Sequence, residues 1–226
     1  MKKGMWWLVG LILVIGCATT GSDKTTSTKG EQSGFLKGYY DRLAPGPKDG
    51  AKMRWIKPDV DWGRYNYVML DSVVFFFDDA SEYNGIEPNE LKALADGFNQ
   101  QLVETLKDKY PIVTEPGIDV LRIRFAITDL KQSHPGLSAI STVVPVGLAI
   151  STLKKGATGS WAGSGAASAE MMALDSMSND VIAVAKDDRS AGFTERFSKW
   201  GSAEEAFKYW AERVKLYLDQ VHGLKK

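Results

Sequence analysis

One cysteine, Cys17, and two histidines, His134 and His222, occur in 226 residues. No disulfide can close within a single copy of the chain. Zinc draws three or four ligands from cysteine and histidine, and this inventory does not supply them. Hydrolysis by an activated serine needs a base held against the nucleophile. His134 precedes Pro135 in a loop-like stretch, His222 lies close to the end, and neither follows a G-x-S-x-G elbow. Charge of one sign is not in excess, since 28 Lys and Arg stand against 28 Asp and Glu. A basic surface for nucleic acid is therefore not expected, and the charges are interspersed, not blocked. There is no repeat of fixed period, and no apolar run of the roughly 20 residues that a spanning helix requires.

What is present starts with Met1-Lys2-Lys3, followed by an uncharged stretch from Gly4 to Ile15 that holds Trp6, Trp7, Leu8, Val9, Leu11, Ile12, Leu13 and Val14. Two cations before a short apolar run are the n-region and h-region of a signal peptide. The run closes on Val14-Ile15-Gly16-Cys17. This resembles the bacterial lipobox, in which the thiol takes a diacylglycerol and the peptidase cuts before it. The resemblance implies cleavage between Gly16 and Cys17, a covalent diacylglycerol and an acyl chain such as palmitate on Cys17, and no dissociable cofactor. Two or more acyl chains, at about 0.8 kcal/mol per buried methylene, hold a protein stably on a membrane. By the sorting rule of such lipoproteins, Ala18 in place of Asp implies the outer membrane, facing the periplasm.

Residues 1–16 are accordingly read as signal peptide and 17–32 as lipidated cysteine and tether. From Ala18 to Gln32 the chain is mostly Thr, Ser, Gly, Lys and Asp, too polar to offset its ordering entropy by burial. Residues 33–226 are long enough for one globular domain with a sizeable core. Loss of Lys2 and Lys3 leaves about two net negative charges.

Phe35 and Leu36 open this part and lead to the turn at Pro45-Gly46-Pro47. A short strand is expected at Lys52 to Lys57. From Tyr65 to Phe77 aromatic and β-branched residues fall on both faces, which predicts a central strand covered on both sides; Asp71 inside it requires a partner. Pro88 can begin a helix whose stripe is Leu91, Leu94, Ala95, Phe98, Leu102 and Leu106. In Val120 to Leu130, Leu121, Ile123, Phe125 and Ile127 alternate with Arg122, Arg124 and Thr128, giving a core face and a wet face. Glu170 to Leu174 and Val181 to Ala185 read as a hairpin. The closing helix has a capping box, Ser202 with Glu205, and a stripe of Phe207, Trp210, Ala211, Val214, Tyr217 and Val221. An α+β fold follows: a single mostly antiparallel sheet with two main helices packed on it.

Gly159, Gly163 and Gly165 lack the Lys-Ser/Thr of a Walker loop and the full dinucleotide fingerprint. Small residues spaced by two instead suit a strand packed closely by a helix or a neighbouring chain. Asp78-Asp79 and Asp187-Asp188 point to opposite sides of an extended chain and read as solvated strand ends, not a metal site. Arg122 and Arg124 share one face; an anion site and cross-strand ion pairs with residues such as Glu170 both stand open. The uncharged segment Gly136 to Leu153, with Val143, Val144, Val146 and Leu148, is a candidate contact segment, buried against the sheet or facing a protein or membrane.

Several features resemble a family of Gram-negative lipoproteins catalogued only as a domain of unknown function. They are the lipobox, Ser33-Gly34-Phe35-Leu36, Val68-Met69-Leu70-Asp71, Leu121-Arg122-Ile123-Arg124 with Ala126-Ile127-Thr128-Asp129, and the Trp200 to Trp210 helix. The element order also resembles the periplasmic lipoprotein domains of curli-type and polysaccharide-secretion rings, an analogy of fold that gives no function. The expectation is a non-enzymatic outer-membrane lipoprotein that binds a second copy of itself or another envelope component. The alternative is an envelope hydrolase or small-ligand-binding protein with a site near Asp71, Arg122 and Arg124.

Overall fold

A computed structural model describes residues 32–77, 86–133, 166–190 and 198–224. Gly16, Cys17, the tether to Glu31, His134, Asp78-Asp79, the segment with Val143, Val144, Val146 and Leu148, and Gly159 to Gly165 lie outside the described residues. The strands are β1 (Ala44–Pro45), β2 (Met53–Ile56), β3 (Tyr67–Leu70), β4 (Val74–Phe75), β5 (Val120–Lys131), β6 (Ala166–Asp175) and β7 (Val181–Ser190), with helices α1 (Pro88–Leu106) and α2 (Gly201–Val221). They form one sheet in the order β1-β2-β7-β6-β5-β3, with β4 also on β5. Among the described strands only β3 and β4 run parallel to their neighbour, so the sheet is mostly antiparallel and the fold is α+β, as expected. No helix among the described residues is long and apolar enough to cross a membrane.

Both helices cover one face. The stripe of α1 buries Leu94, Phe98, Leu102 and Leu106, and that of α2 buries Ala203, Ala206, Phe207, Trp210, Ala211 and Leu218. They meet where Phe98 stacks on Phe207 at 4.6 Å between centroids and tilts against Phe125 of β5 at 4.9 Å. The expected capping box is absent. The helix begins at Gly201 with Trp200 as N-cap and no side-chain cap. Ser202 is inside the first turn, where its hydroxyl pairs with that of Ser133 at 2.8 Å in a buried contact.

The Tyr65 to Phe77 segment is not a central strand but two short pieces on the sheet edge. Leu70 pairs with Ile123 and Val74 with Ala126, so four steps on the edge oppose three on β5. One extra residue reverses which side chains face inward. Val68 is buried before the break and Val73 after it, while Val74 and Phe76 are exposed. Two apparent apolar faces are thus one face with a change of phase. The wet face of β5 is also shorter than its alternation implies. Ala126 is buried because Glu170, opposite it, lies under residues 33–43, and Thr128 is buried at a bulge between Ile127 and Asp129 that shifts the register with β6.

That N-terminal segment covers the face of the sheet opposite the helices. Leu36 is wholly buried against Met172, Leu174 and Val184, flanked by Tyr39 and Trp55. Gly38, at φ +88°, has a backbone conformation that side chains resist, and the chain folds back there. Tyr40 Oη thereby accepts from Gly34 N at 2.8 Å and donates to Glu170 Oε2 at 3.0 Å, beside Ser33 Oγ at 2.7 Å. Lys186 Nζ stands 3.8 Å from the other oxygen of this fully buried carboxylate. Leu36→Ala is expected to lower unfolding free energy by about 2–5 kcal/mol, as for a fully buried leucine. The check is the urea midpoint, which should fall with little change in slope.

Candidate functional site

Strand register places a trough beneath α2. One row across the sheet runs Ile56, Ala183, Ala173, Ile123, and the next runs Arg54, Ala185, Met171, Phe125. Large side chains at the margins and alanines toward the middle leave depth where β6 and β7 meet. Trp210, Val214 and Tyr217 of α2 roof the space, and residues 47–51 close one side. The resulting cavity holds about 800 Å³, within the ~300–1,000 Å³ range of small-molecule sites.

A dry, sealed void of 800 Å³ at about 24 cal/mol per Å³ would cost about 19 kcal/mol. Net domain stability is only about 5–15 kcal/mol. Solvent or a ligand must fill the space. The space opens to solvent beside residues 47–49, so water enters it when no ligand does, and over a floor of Ala173, Ala183, Ile56, Ile123 and Phe125 an apolar ligand displaces that water favourably. Two carboxylates that reach the wall, Asp187 and Asp219, are already engaged. Asp187 accepts Trp210 Nε1–H at 2.8 Å and the amide of Lys52 at 2.9 Å. Burial works against the charged form of Asp219, but hydrogen bonds from Lys215 and Tyr110, with Lys109 nearby, outweigh it and hold its carboxyl below the usual range. Burial pushes the Tyr217 hydroxyl up, against the pull of Arg54.

Asp71, Arg122 and Arg124 are brought together on the other face. Arg122 donates Nε to Asp71 Oδ1 at 2.8 Å and Nη2 to Oδ2 at 2.9 Å, and Arg124 Nε lies 3.1 Å from Oδ2. The ion-pair partner is Asp71, not Glu170, which is turned to Ser33, Tyr40 and Lys186. Asn179 takes Arg122 Nη1 at 2.9 Å. Both carboxylate oxygens are occupied by guanidinium donors, and no serine, cysteine or histidine is among these partners. The cluster ties β5 to its edge strand and to the hairpin turn. Asp187 and Asp188 diverge as expected, but they lie within β7 and not at a solvated strand end: Asp187 is buried, held by Trp210 and the Lys52 amide, and only Asp188 reaches solvent, pairing with Lys52. His222 holds Leu218 O through Nδ1 at 2.8 Å. Sequence reasoning missed the trough, whose alanines are legible individually but align only through the register of four strands.

A second carboxylate sets the pH response of the β6–β7 turn. Burial disfavours the charge on Asp175, yet bonds from Ser178 N and Oγ, from Tyr65 Oη and the nearby Arg64 guanidinium lower its pKa overall. A depressed folded pKa adds stability above the unfolded pKa of about 3.9, lost as pH falls through the folded value. Asp175→Asn should therefore be less stable at neutral pH and show a shallower loss below about pH 4. Denaturation midpoints at stepped pH check this.

A family model described as a protein of unknown function, DUF3313, matches residues 31–214. The uncharacterized lipoprotein YdcL of Escherichia coli, from strain K12 and from O157:H7, is 28% identical over 146 residues, which take in 63% of this chain and 62% of that protein. The chain thus spans less than two thirds of the length of these curated relatives. Among solved structures, the PelC dodecamer from Paraburkholderia phytofirmans is 10% identical, with a TM-score of 0.39 over 71% of this chain and 95% of that one. The hypothetical protein CT253 from Chlamydia trachomatis is 12% identical, with a TM-score of 0.38 over 69% of this chain and 99% of that one.

Proposed function

The chain belongs to the DUF3313 family of proteins of unknown function, so no reaction comes to it from its relatives, and we propose that it is an envelope lipoprotein that acts by binding an apolar ligand, without catalysis. Its anchor is the diacylglycerol and acyl chain on Cys17, its address the outer membrane with the folded part in the periplasm, and Ala18 to Gln32 its tether. The lipobox pattern supports the anchor, and the name of the Escherichia coli relative agrees with it. The uncharged composition of Gly136 to Leu153 supports a contact there with a second copy or an envelope protein.

The observation that carries the binding role is the cavity of about 800 Å³ between α2 and the alanines of β6 and β7. Its apolar floor favours a hydrocarbon over water. The Asp71–Arg122–Arg124 cluster supports the same non-catalytic reading, because both oxygens of Asp71 are held by guanidinium donors within the fold. The test is photolabelling of the full-length protein, held in phosphatidylcholine nanodiscs, with hexadecanol carrying a diazirine in its chain. Label is expected on the peptides holding Ala183 to Asp187 and Tyr209 to Leu218. Label confined to residues 17–32 would overturn the reading.

A further inference from the structure

Two arginines at the cavity have no carboxylate partner among the described residues. Arg54 projects from the helix-facing side of β2, opposite Ala185. No described carboxylate lies within ion-pair distance of it. Arg213, one turn beyond Tyr209 on α2, donates Nη1 to the carbonyl oxygen of Asp49 at 2.6 Å and lies over the Tyr209 ring at 4.9 Å. Its Nε is buried without an acceptor. That Nε has no accessible surface and faces protein, so it is the charge of the Arg213 guanidinium that a ligand in the cavity meets.

The carboxylates around the same cavity do not serve these arginines. Asp187 is held by Trp210 and the Lys52 amide. Asp219 is held by Lys215, Tyr110 and Lys109. Asp49 contributes its backbone oxygen to Arg213, and its side chain is in solvent. Lys48, also at the cavity, adds a further exposed cation. An apolar trough bordered by unneutralised guanidinium groups is complementary to one molecule with both characters.

We infer that the cavity takes a single-chain amphiphile with an anionic head, its hydrocarbon on Ala173, Ala183 and Ala185 and its head at Arg54 and Arg213. This rests on the apolar-ligand reading and adds to it a charge requirement. A long-chain carboxylate and a long-chain monoester of phosphate share the chemistry. Guanidinium is suited to either, since its planar donors match two oxygens of the head at once. A quaternary ammonium head would be repelled, and an alcohol would gain the trough alone.

The experiment is competition against the diazirine hexadecanol label in the same full-length protein and phosphatidylcholine nanodiscs. Competitors are palmitate, hexadecyl phosphate, unlabelled hexadecanol and hexadecyltrimethylammonium. Palmitate is expected to displace the label at about tenfold lower concentration than hexadecanol, the factor for a charge-assisted contact. Arg54→Gln should remove that preference while the hexadecanol label persists, and Arg54→Lys should keep most of it. Arg213→Gln should act in the same direction, and Arg54→Gln decides the matter if that second variant is unstable. Hexadecyl phosphate competing as well as palmitate shows a site for anionic heads in general; palmitate alone competing shows a carboxylate site, and both outcomes support the inference. Equal displacement by palmitate and hexadecanol, or a preference that survives Arg54→Gln, overturns the charge requirement and leaves apolar binding standing. Absence of label from Tyr209 to Leu218 overturns both.

Discussion

Ala183→Leu with Ala185→Leu is expected to abolish labelling by the apolar probe and to leave the protein at least as stable as before. Both alanines face the cavity from β7, opposite Ile56 and Arg54 of β2. Added methylenes at these positions extend into free space and are shielded by α2, at about 0.8 kcal/mol each when fully buried. Cavity filling of this kind raises melting temperature by several degrees. The sign of the stability change is itself informative. In a close-packed interior the same substitutions overpack and cost about 1–3 kcal/mol or more. A higher or equal melting temperature together with at least a tenfold weaker label would establish that the space exists and that ligand occupies it. A lower melting temperature with label unchanged would place the ligand elsewhere.

Cys17→Ser is expected to eliminate incorporation of an alkyne palmitate completely and to leave an uncut precursor that retains residues 1–16. The oxygen of serine is not a substitute for the thiol in thioether formation, and the proposed cut is the one made beside the lipidated cysteine. Ala18→Asp should keep the label and the cut but move the protein from the outer-membrane to the inner-membrane fraction of a density gradient. Labelling that persists in Cys17→Ser would refute the anchor. Fractionation unaffected by Ala18→Asp would refute the sorting signal while leaving lipidation intact.

Elements that express one periodicity over many residues are legible in the sequence. The stripe from Leu94 to Leu106 forms the buried face of α1, and the alternation from Leu121 to Ile127 forms the helix-facing side of β5. Phe207, Trp210 and Ala211 bury as their spacing implies. Errors arise where one residue changes the phase. An extra step between Leu70 and Val74 makes a one-faced edge look two-faced. A buried hydroxyl partner, Ser133, similarly takes Ser202 out of its capping role.

The candidate site was less legible for a related reason. Asp71 is visible as a charge that needs a partner, and Arg122 with Arg124 as cations on one face, so their meeting follows from two local observations. The trough depends on three pairings at once: Ile56 with Ala183, Ala183 with Ala173, and Ala173 with Ile123. No single segment carries that information. Ala167, Ala169 and Ala173 of β6 lie in the core beneath the helices, where their small size suits close packing. What they do not signal is where the packing stops short of filling the space.

The most direct test is a crystal structure of the protein grown with palmitate. Elongated density is predicted along Ala173, Ala183 and Ala185 under Trp210 and Tyr217, ending at Arg54 and Arg213. A structure in which α2 closes onto β7 and the side chains of Tyr209 and Tyr217 fill the trough, with no ligand bound, would contradict the account.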